Sequence, residues 1–214
     1  MAFAKTARDV ILVLMRIGFF GGSFDPIHLG HLELAKGMQK EHRLDQVWFS
    51  PANFNPHKSE GDAVSVEHRL AMVERAIEDI TGFSVVDLEA KKEGPSYTAE
   101  TLEQLIANES GRQFFLILGD EALPALPRWH RIEDIVEWVP LLVGRRQLQP
   151  DGGSCVEHPK LWDAALKGMT PTSLMEISAT AIRDRLSKGL CCGHLVPAKV
   201  LDYIKQHRLY SSHG

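Results

Sequence analysis

Apolar residues recur along this chain with two alternating rhythms. Positions 16–20 (Arg-Ile-Gly-Phe-Phe), 46–50 (Gln-Val-Trp-Phe-Ser), 83–87, 113–119 (Gln-Phe-Phe-Leu-Ile-Leu-Gly) and 139–143 are short runs of the kind buried on both faces of a parallel sheet. Between them the spacing turns helical. Leu29, Leu32, Ala35 and Met38 form one stripe over 28–43, and Val66, Leu70, Val73, Ile77 and Ile80 form another over 65–80, with Gly82 as its stop. A further helix opens near Ser96-Tyr97-Thr98, with Ser96 or Thr98 as its cap and Glu100 and Glu103 favouring its start. Strands separated by helices at this spacing predict an α/β fold, a doubly wound and mostly parallel sheet with right-handed crossovers.

Beyond Gly144 the pattern weakens. Residues 147–159 read as loop, 161–166 as a short helix, 173–177 as one more strand and 178–186 as a helix. Pro197 opens a last helix over 198–206, giving a small C-terminal helical portion. Without repeats, low-complexity tracts or linkers, residues 15–214 are expected to form one domain. Residues 1–14 read as an N-terminal extension. Residues 10–15 are apolar, but Arg8 and Asp9 precede them, no small-residue cleavage site follows, and the run is too short to span a bilayer. The expected start of the native protein is Met15.

Composition adds mainly exclusions. The chain has 214 residues, 44% of them hydrophobic and 24% charged, which is ordinary for a globular protein with a sizeable core. A net charge of −4 gives no reason to expect a nucleic-acid or membrane partner. Its three cysteines (Cys155, Cys191, Cys192) contain no CxxC pair, and the odd count argues against a disulfide framework, so a cytoplasmic location is expected.

Candidate chemistry concentrates at the end of the first strand, in Gly21-Gly22-Ser23-Phe24-Asp25-Pro26-Ile27-His28-Leu29-Gly30-His31. A strand that ends in two glycines and restarts as a helix brings backbone N–H groups close to its ligand, a geometry suited to phosphate. Asp25-Pro26 forces a turn, and Gly30 leaves room for a flat base or ribose. His28 and His31, three residues apart, share one side of the first helical turn. Zinc binding by this pair lacks a third ligand nearby. Neither GxGxxG nor GxxxxGK[ST] follows a strand, which disfavours dinucleotide-dehydrogenase and P-loop readings. Downstream, Ile177-Ser178-Ala179-Thr180-Ala181-Ile182-Arg183 places hydroxyls at the mouth of a helix and an arginine one turn inward, again a phosphate-binding arrangement.

Together these segments resemble the GxFDPxHxGH and ISxTxIR motifs of the HxGH nucleotidyltransferase superfamily. The intervening loops narrow the resemblance. Pro51-Ala52-Asn53-Phe54-Asn55-Pro56-His57-Lys58 is similar to the PxxxPPHK/R loop of the bacterial nicotinate mononucleotide adenylyltransferases, and Pro95-Ser96-Tyr97-Thr98 with Thr101-Leu102 to their PSYTxxTL segment. Gly119-Asp120-Glu121 through Trp129-His130 resembles their GxDxL…W region, with either Asp120 or Glu121 at the acidic position. The likeness spans residues 15–210.

The resemblance implies a Rossmann-like nucleotidyltransferase fold and a reaction between ATP and nicotinate mononucleotide that yields nicotinate adenine dinucleotide and pyrophosphate. In-line attack of the mononucleotide phosphate on the α-phosphorus needs no protein nucleophile. It implies His28, His31, Lys58 and Arg183 as catalytic cations, and Gly21, Gly22, Ser23, Phe24, Gly30, Ile177, Ser178 and Thr180 around ATP. His57, Tyr97, Thr98, Asp120 and Trp129 would surround the pyridine nucleotide. Trp129 would stack on the pyridinium ring, and amides near Tyr97-Thr98 and Trp129-His130 would receive its carboxylate. Mg²⁺ would be held by the phosphates rather than by the protein. A pantetheine-phosphate adenylyltransferase, a cytidylyltransferase and a non-catalytic nucleotide-binding protein are the alternatives. Nicotinate against nicotinamide preference, and assembly into a homo-oligomer, stay open.

Overall fold

The computed structural model describes residues 14–53, 64–92, 94–145, 158–172 and 177–211. Six strands form one parallel sheet: β1 (Met15–Gly22), β2 (Gln46–Pro51), β3 (Phe83–Val85), β4 (Arg112–Gly119), β5 (Leu141–Arg145) and β6 (Met169–Pro171). Their order is β3-β2-β1-β4-β5-β6, so the winding reverses between β1 and β4. Helices connect them: α1 (Leu29–Glu41), α2 (Val66–Ile77), α3 (Thr98–Asn108), α4 (Ile132–Trp138), α5 (Pro159–Lys167), then α6 (Ala179–Ser187) and α7 (Ala198–Gln206). No helix among the described residues is long and apolar enough to cross a membrane.

Period-two side chains divide the core into two layers. Phe20, Val47, Phe49, Phe115, Ile117 and Leu142 point to one face, where α1, α2, α6 and α7 cover them. Ile17, Phe19, Trp48, Phe114, Leu116, Leu118, Leu141 and Val143 point to the other, under α3, α4 and α5. Both faces are therefore dry, which is why these strands read as continuous apolar runs. The C-terminal helices are part of the first layer through Ile182, Val196, Val200 and Ile204.

Several boundaries differ from expectation. The second helix ends at Ile77, and Gly82 (φ +82°) instead serves the turn into β3, where an added Cβ would meet the Gln39 side chain and the Asp45 carbonyl. β3 stops at Val85, although the Val86 amide still donates to the Phe49 carbonyl at 2.8 Å. β5 starts at Leu141 because Val139 is buried as the last cap of α4, a seven-residue helix too short to show a periodic signal. The sixth strand lies at Met169–Pro171, ahead of the expected 173–177, of which residues 173–176 fall outside the described residues. Neither Ser96 nor Thr98 caps α3. The cap position is Tyr97, and the Ser96 hydroxyl instead accepts from the Asn53 amide at 3.0 Å.

Candidate active site

In an open parallel sheet the crevice for a ligand opens at the carboxyl ends of the strands where the winding reverses. Here that point lies between β1, ending in Gly21-Gly22, and β4, ending in Gly119. A Cβ on Gly22 would sit 3.0–3.3 Å from the Phe24 ring, which folds back beneath the turn. Phe24 (φ +47°) is buried against Phe20, Phe49 and His31, so at this turn only its backbone can face a ligand.

The two histidines follow. His28 is the buried cap residue of α1, and His31 stacks on it with ring centroids 3.6 Å apart and planes 18° from parallel. The His28 backbone N–H donates to His31 Nδ1 at 3.3 Å. That bond makes Nδ1 an acceptor and leaves Nε2 as the proton-bearing nitrogen of His31. Stacked rings aim their in-plane lone pairs poorly at a common ion. Among the described residues no group of three or more His, Cys, Asp or Glu is placed to hold a metal. The amide cradle is narrower than expected, since the Leu29 N–H donates to the Leu195 carbonyl at 2.9 Å.

The second motif arrives from the other end of the chain. Ser178 caps α6, its Oγ accepting from the Ala181 amide at 3.5 Å, while Ser178 and Thr180 are both exposed. Ile177 is buried in the first core layer, which leaves its backbone to line the site. Arg183 donates through Nη1 to the Asp25 carbonyl at 2.8 Å and through Nη2 to Thr180 Oγ1 at 3.3 Å. Its Nη1 also lies 3.7 Å from Asp25 Oδ2. Residues 158 positions apart in sequence are thereby joined at one rim of the crevice.

Across the crevice, Tyr97 caps α3 and packs its ring 4.7 Å from that of His130. The guanidinium of Arg131 (φ +54°) grips Glu103 of α3 at 2.9 and 3.1 Å and Asp134 at 2.6 Å, tying the 129–131 segment to the helix that carries Tyr97. Thr98 occupies the first position of α3, where an amide has no intrahelical acceptor. Trp129 is half-buried against the second core layer. Its own amide donates to the Leu126 carbonyl at 3.0 Å, so of the amides near Trp129-His130 this one is already engaged. Asp120 opens a short 3₁₀ turn and is half-buried, whereas Glu121 is exposed and folds its carboxylate back over Gly119.

A buried arginine connects the two rims. Arg69 donates to the carbonyls of Ser23 (2.8 Å), Ala52 (2.6 Å), Asn53 (2.8 Å) and Val64 (2.9 Å). Burial pulls its guanidinium below the ordinary value, and the nearby Asp25 carboxylate opposes that shift. Asn53 passes the link on, since its amide reaches Ser96 and its side chain donates to the Lys92 carbonyl at 2.8 Å. Beneath that segment Glu89, 4% exposed, accepts from Thr101 Oγ1 at 3.0 Å. Desolvation pushes its carboxyl up to about 7, with the Thr101 hydrogen bond and Lys92 acting the other way.

Residues 19–185 match the cytidylyltransferase-like family model. A protein from Salinibacter ruber named probable nicotinate-nucleotide adenylyltransferase is 39% identical over 92% of this chain and 98% of its own length. One of the same name from Dehalococcoides mccartyi is also 39% identical, over 93% of this chain and 98% of its own. The chain belongs to the nicotinate-nucleotide adenylyltransferase family. The fold agrees with that of a Plasmodium falciparum nicotinic acid mononucleotide adenylyltransferase solved with NaAD, at a TM-score of 0.73 and 20% identity, covering 91% of this chain and 97% of the other.

The fold places Gly21, Gly22 and Ser23 at the end of β1, His28, Gly30 and His31 at the start of α1, and Ser178, Thr180 and Arg183 at the start of α6, with Tyr97 and Thr98 opening α3 and Asp120 and Trp129 in the segment after β4. His57 and Lys58 lie outside the described residues. In the sequence Asp25 reads as turn chemistry, and Arg69 is not among the candidate site residues. The signal for Arg69 was present: it falls on the apolar stripe Val66-Val73-Ala76 of α2, where an unpaired charge would be costly.

Proposed function

We propose that this chain joins ATP and nicotinate mononucleotide to give nicotinate adenine dinucleotide and pyrophosphate, a step of NAD biosynthesis. The observation that supports the reading is the Arg183–Asp25 junction, which joins the Gly21–His31 and Ile177–Arg183 segments at the switch point of the sheet, while Tyr97 and His130 pack together on the other rim. The mononucleotide's 5′-phosphate oxygen attacks the α-phosphorus of ATP. The bond from that phosphorus to the bridging oxygen breaks in line, and pyrophosphate leaves with the electron pair.

No side chain needs to become covalently attached. His31 Nε2–H, His28, Arg183 and Lys58 stabilise charge on the transferring and leaving phosphates, which is where the barrier is lowered. Gly21 to Phe24, Gly30, Ile177, Ser178 and Thr180 face ATP, largely through backbone and hydroxyl groups. His57, Tyr97, Thr98, Asp120 and Trp129 receive the acceptor, with the Trp129 face against the cationic pyridinium ring. Mg²⁺ accompanying ATP would supply positive charge against the phosphates, with no protein side chain required to hold it.

The test is to incubate the protein with Mg²⁺, ATP or CTP, and each of nicotinate mononucleotide, nicotinamide mononucleotide and pantetheine phosphate, and to follow pyrophosphate. Release with ATP and nicotinate mononucleotide is expected. No release with either pyridine mononucleotide, or release driven by CTP or by pantetheine phosphate, would overturn the reading.

A further inference from the structure

The turn after α7 reaches back to the first motif. After α7 the backbone turns sharply, with Arg208 (φ +51°) and Tyr210 (φ +60°) left-handed and the Leu209 amide donating to the Ile204 carbonyl at 3.0 Å. Leu209 and Tyr210 then pack on the first core layer. This places the Tyr210 hydroxyl on Asp25, 185 residues earlier, to whose Oδ1 it donates at 2.6 Å. Asp25 is 4% exposed, and its other carboxylate oxygen, Oδ2, is the one 3.7 Å from Arg183 Nη1.

The spacing matters for what Arg183 can do. A carboxylate and a guanidinium free to reorient collapse into a bidentate pair, which would spend the arginine's charge and donors on the protein. Here Oδ1 is claimed by the phenol, and Arg183 contacts Asp25 through the backbone carbonyl at 2.8 Å while the carboxylate stays further off. Burial and the adjacent Asp25 carboxylate push the phenol above its ordinary range, so Tyr210 stays a hydrogen donor at neutral pH.

Resting on the adenylyl-transfer reading above, we propose that Tyr210 is a positioning residue for ATP: it holds the Asp25 carboxylate away from Arg183 and so keeps that guanidinium available to the ATP phosphates. The turn after α7 thereby becomes part of the phosphate rim without touching substrate.

Tyr210→Phe tests this with little change of volume. The variant is expected to bind MgATP about tenfold more weakly by calorimetry, and to lose kcat/KM for ATP by a similar factor, while KM for nicotinate mononucleotide stays within about twofold. Adding Asp25→Asn removes the charge that would capture Arg183. The double variant is therefore expected to recover ATP affinity relative to Tyr210→Phe alone, a rescue that a purely structural tyrosine would not show. Unchanged ATP affinity in Tyr210→Phe would overturn the proposal, as would equal losses for both substrates or losses that simply add in the double variant. Calorimetry keeps the two readings separable. A wild-type protein that binds MgATP but makes no dinucleotide contradicts the reaction, whereas the Tyr210 comparison still decides the positioning role. Failure of the wild type to bind MgATP contradicts both.

Discussion

The two rims of the crevice, one proposed to hold phosphate and the other the acceptor, are built to different rules. On the phosphate rim, Phe24, Asp25, His28 and Ile177 are buried, and Arg183 and Tyr210 close on Asp25 from distant parts of the chain. On the acceptor rim, Tyr97, Thr98, Asp120 and Trp129 are half-exposed and His130 is exposed, in segments tied mainly by Arg131 and by ring packing. Charge that must be stabilised in a transition state needs donors already fixed in place. An acceptor ring can be selected by surfaces that form part of its binding energy only. The difference predicts that damage to the phosphate rim lowers turnover, and that damage to the acceptor rim raises KM.

The largest effect is expected from His31→Ala. The His28 amide fixes its ring by donating to Nδ1, and loss of the Nε2–H contact should lower kcat by roughly 100-fold or more. Steady-state kinetics showing near-normal kcat would remove His31 from the mechanism. Trp129→Ala should raise KM for nicotinate mononucleotide by about tenfold and leave ATP parameters little changed. An equal loss for ATP would make the two rims energetically one unit and assign Trp129 to the core layer it touches.

The smallest effect concerns stability beneath the acceptor rim. The folded-state carboxyl of Glu89 is raised from an ordinary 4.5 to about 7. Between those values the native protein binds the extra proton, so stability from this group is full below about 4.5, falls as pH rises and levels off above about 7. The loss is on the order of 3 kcal/mol. Glu89→Gln keeps an acceptor for Thr101 and should flatten that part of the stability–pH curve. Denaturation of both proteins at pH 5 and pH 8 checks it, and parallel curves would mean that Glu89 is not buried as a neutral acid.

Much of this was legible in the residues. The buried runs at Ile17–Phe20 and 113–119 declared themselves because both faces of a parallel sheet are covered, and the HxGH and ISxTxIR segments carry dense local chemistry. What was not legible was long-range pairing. Nothing near Tyr210 indicates that it meets Asp25, and nothing near Ser96 indicates that its hydroxyl serves Asn53 rather than its own helix. The α4 helix escaped because seven residues hold too few turns to reveal a stripe. The Trp129 amide looked available only until the 3₁₀ turn preceding it supplied an acceptor.

The central claim is that the stacked histidines and Arg183 hold phosphate rather than react with it. The stereochemical course at the α-phosphorus tests this most directly, using one diastereomer of an α-thio ATP with nicotinate mononucleotide. A single in-line displacement inverts the configuration of the dinucleotide product, and inversion is the predicted result. Net retention would mean two displacements through an adenylylated side chain, with His28 or His31 as the nucleophile, and would contradict the account.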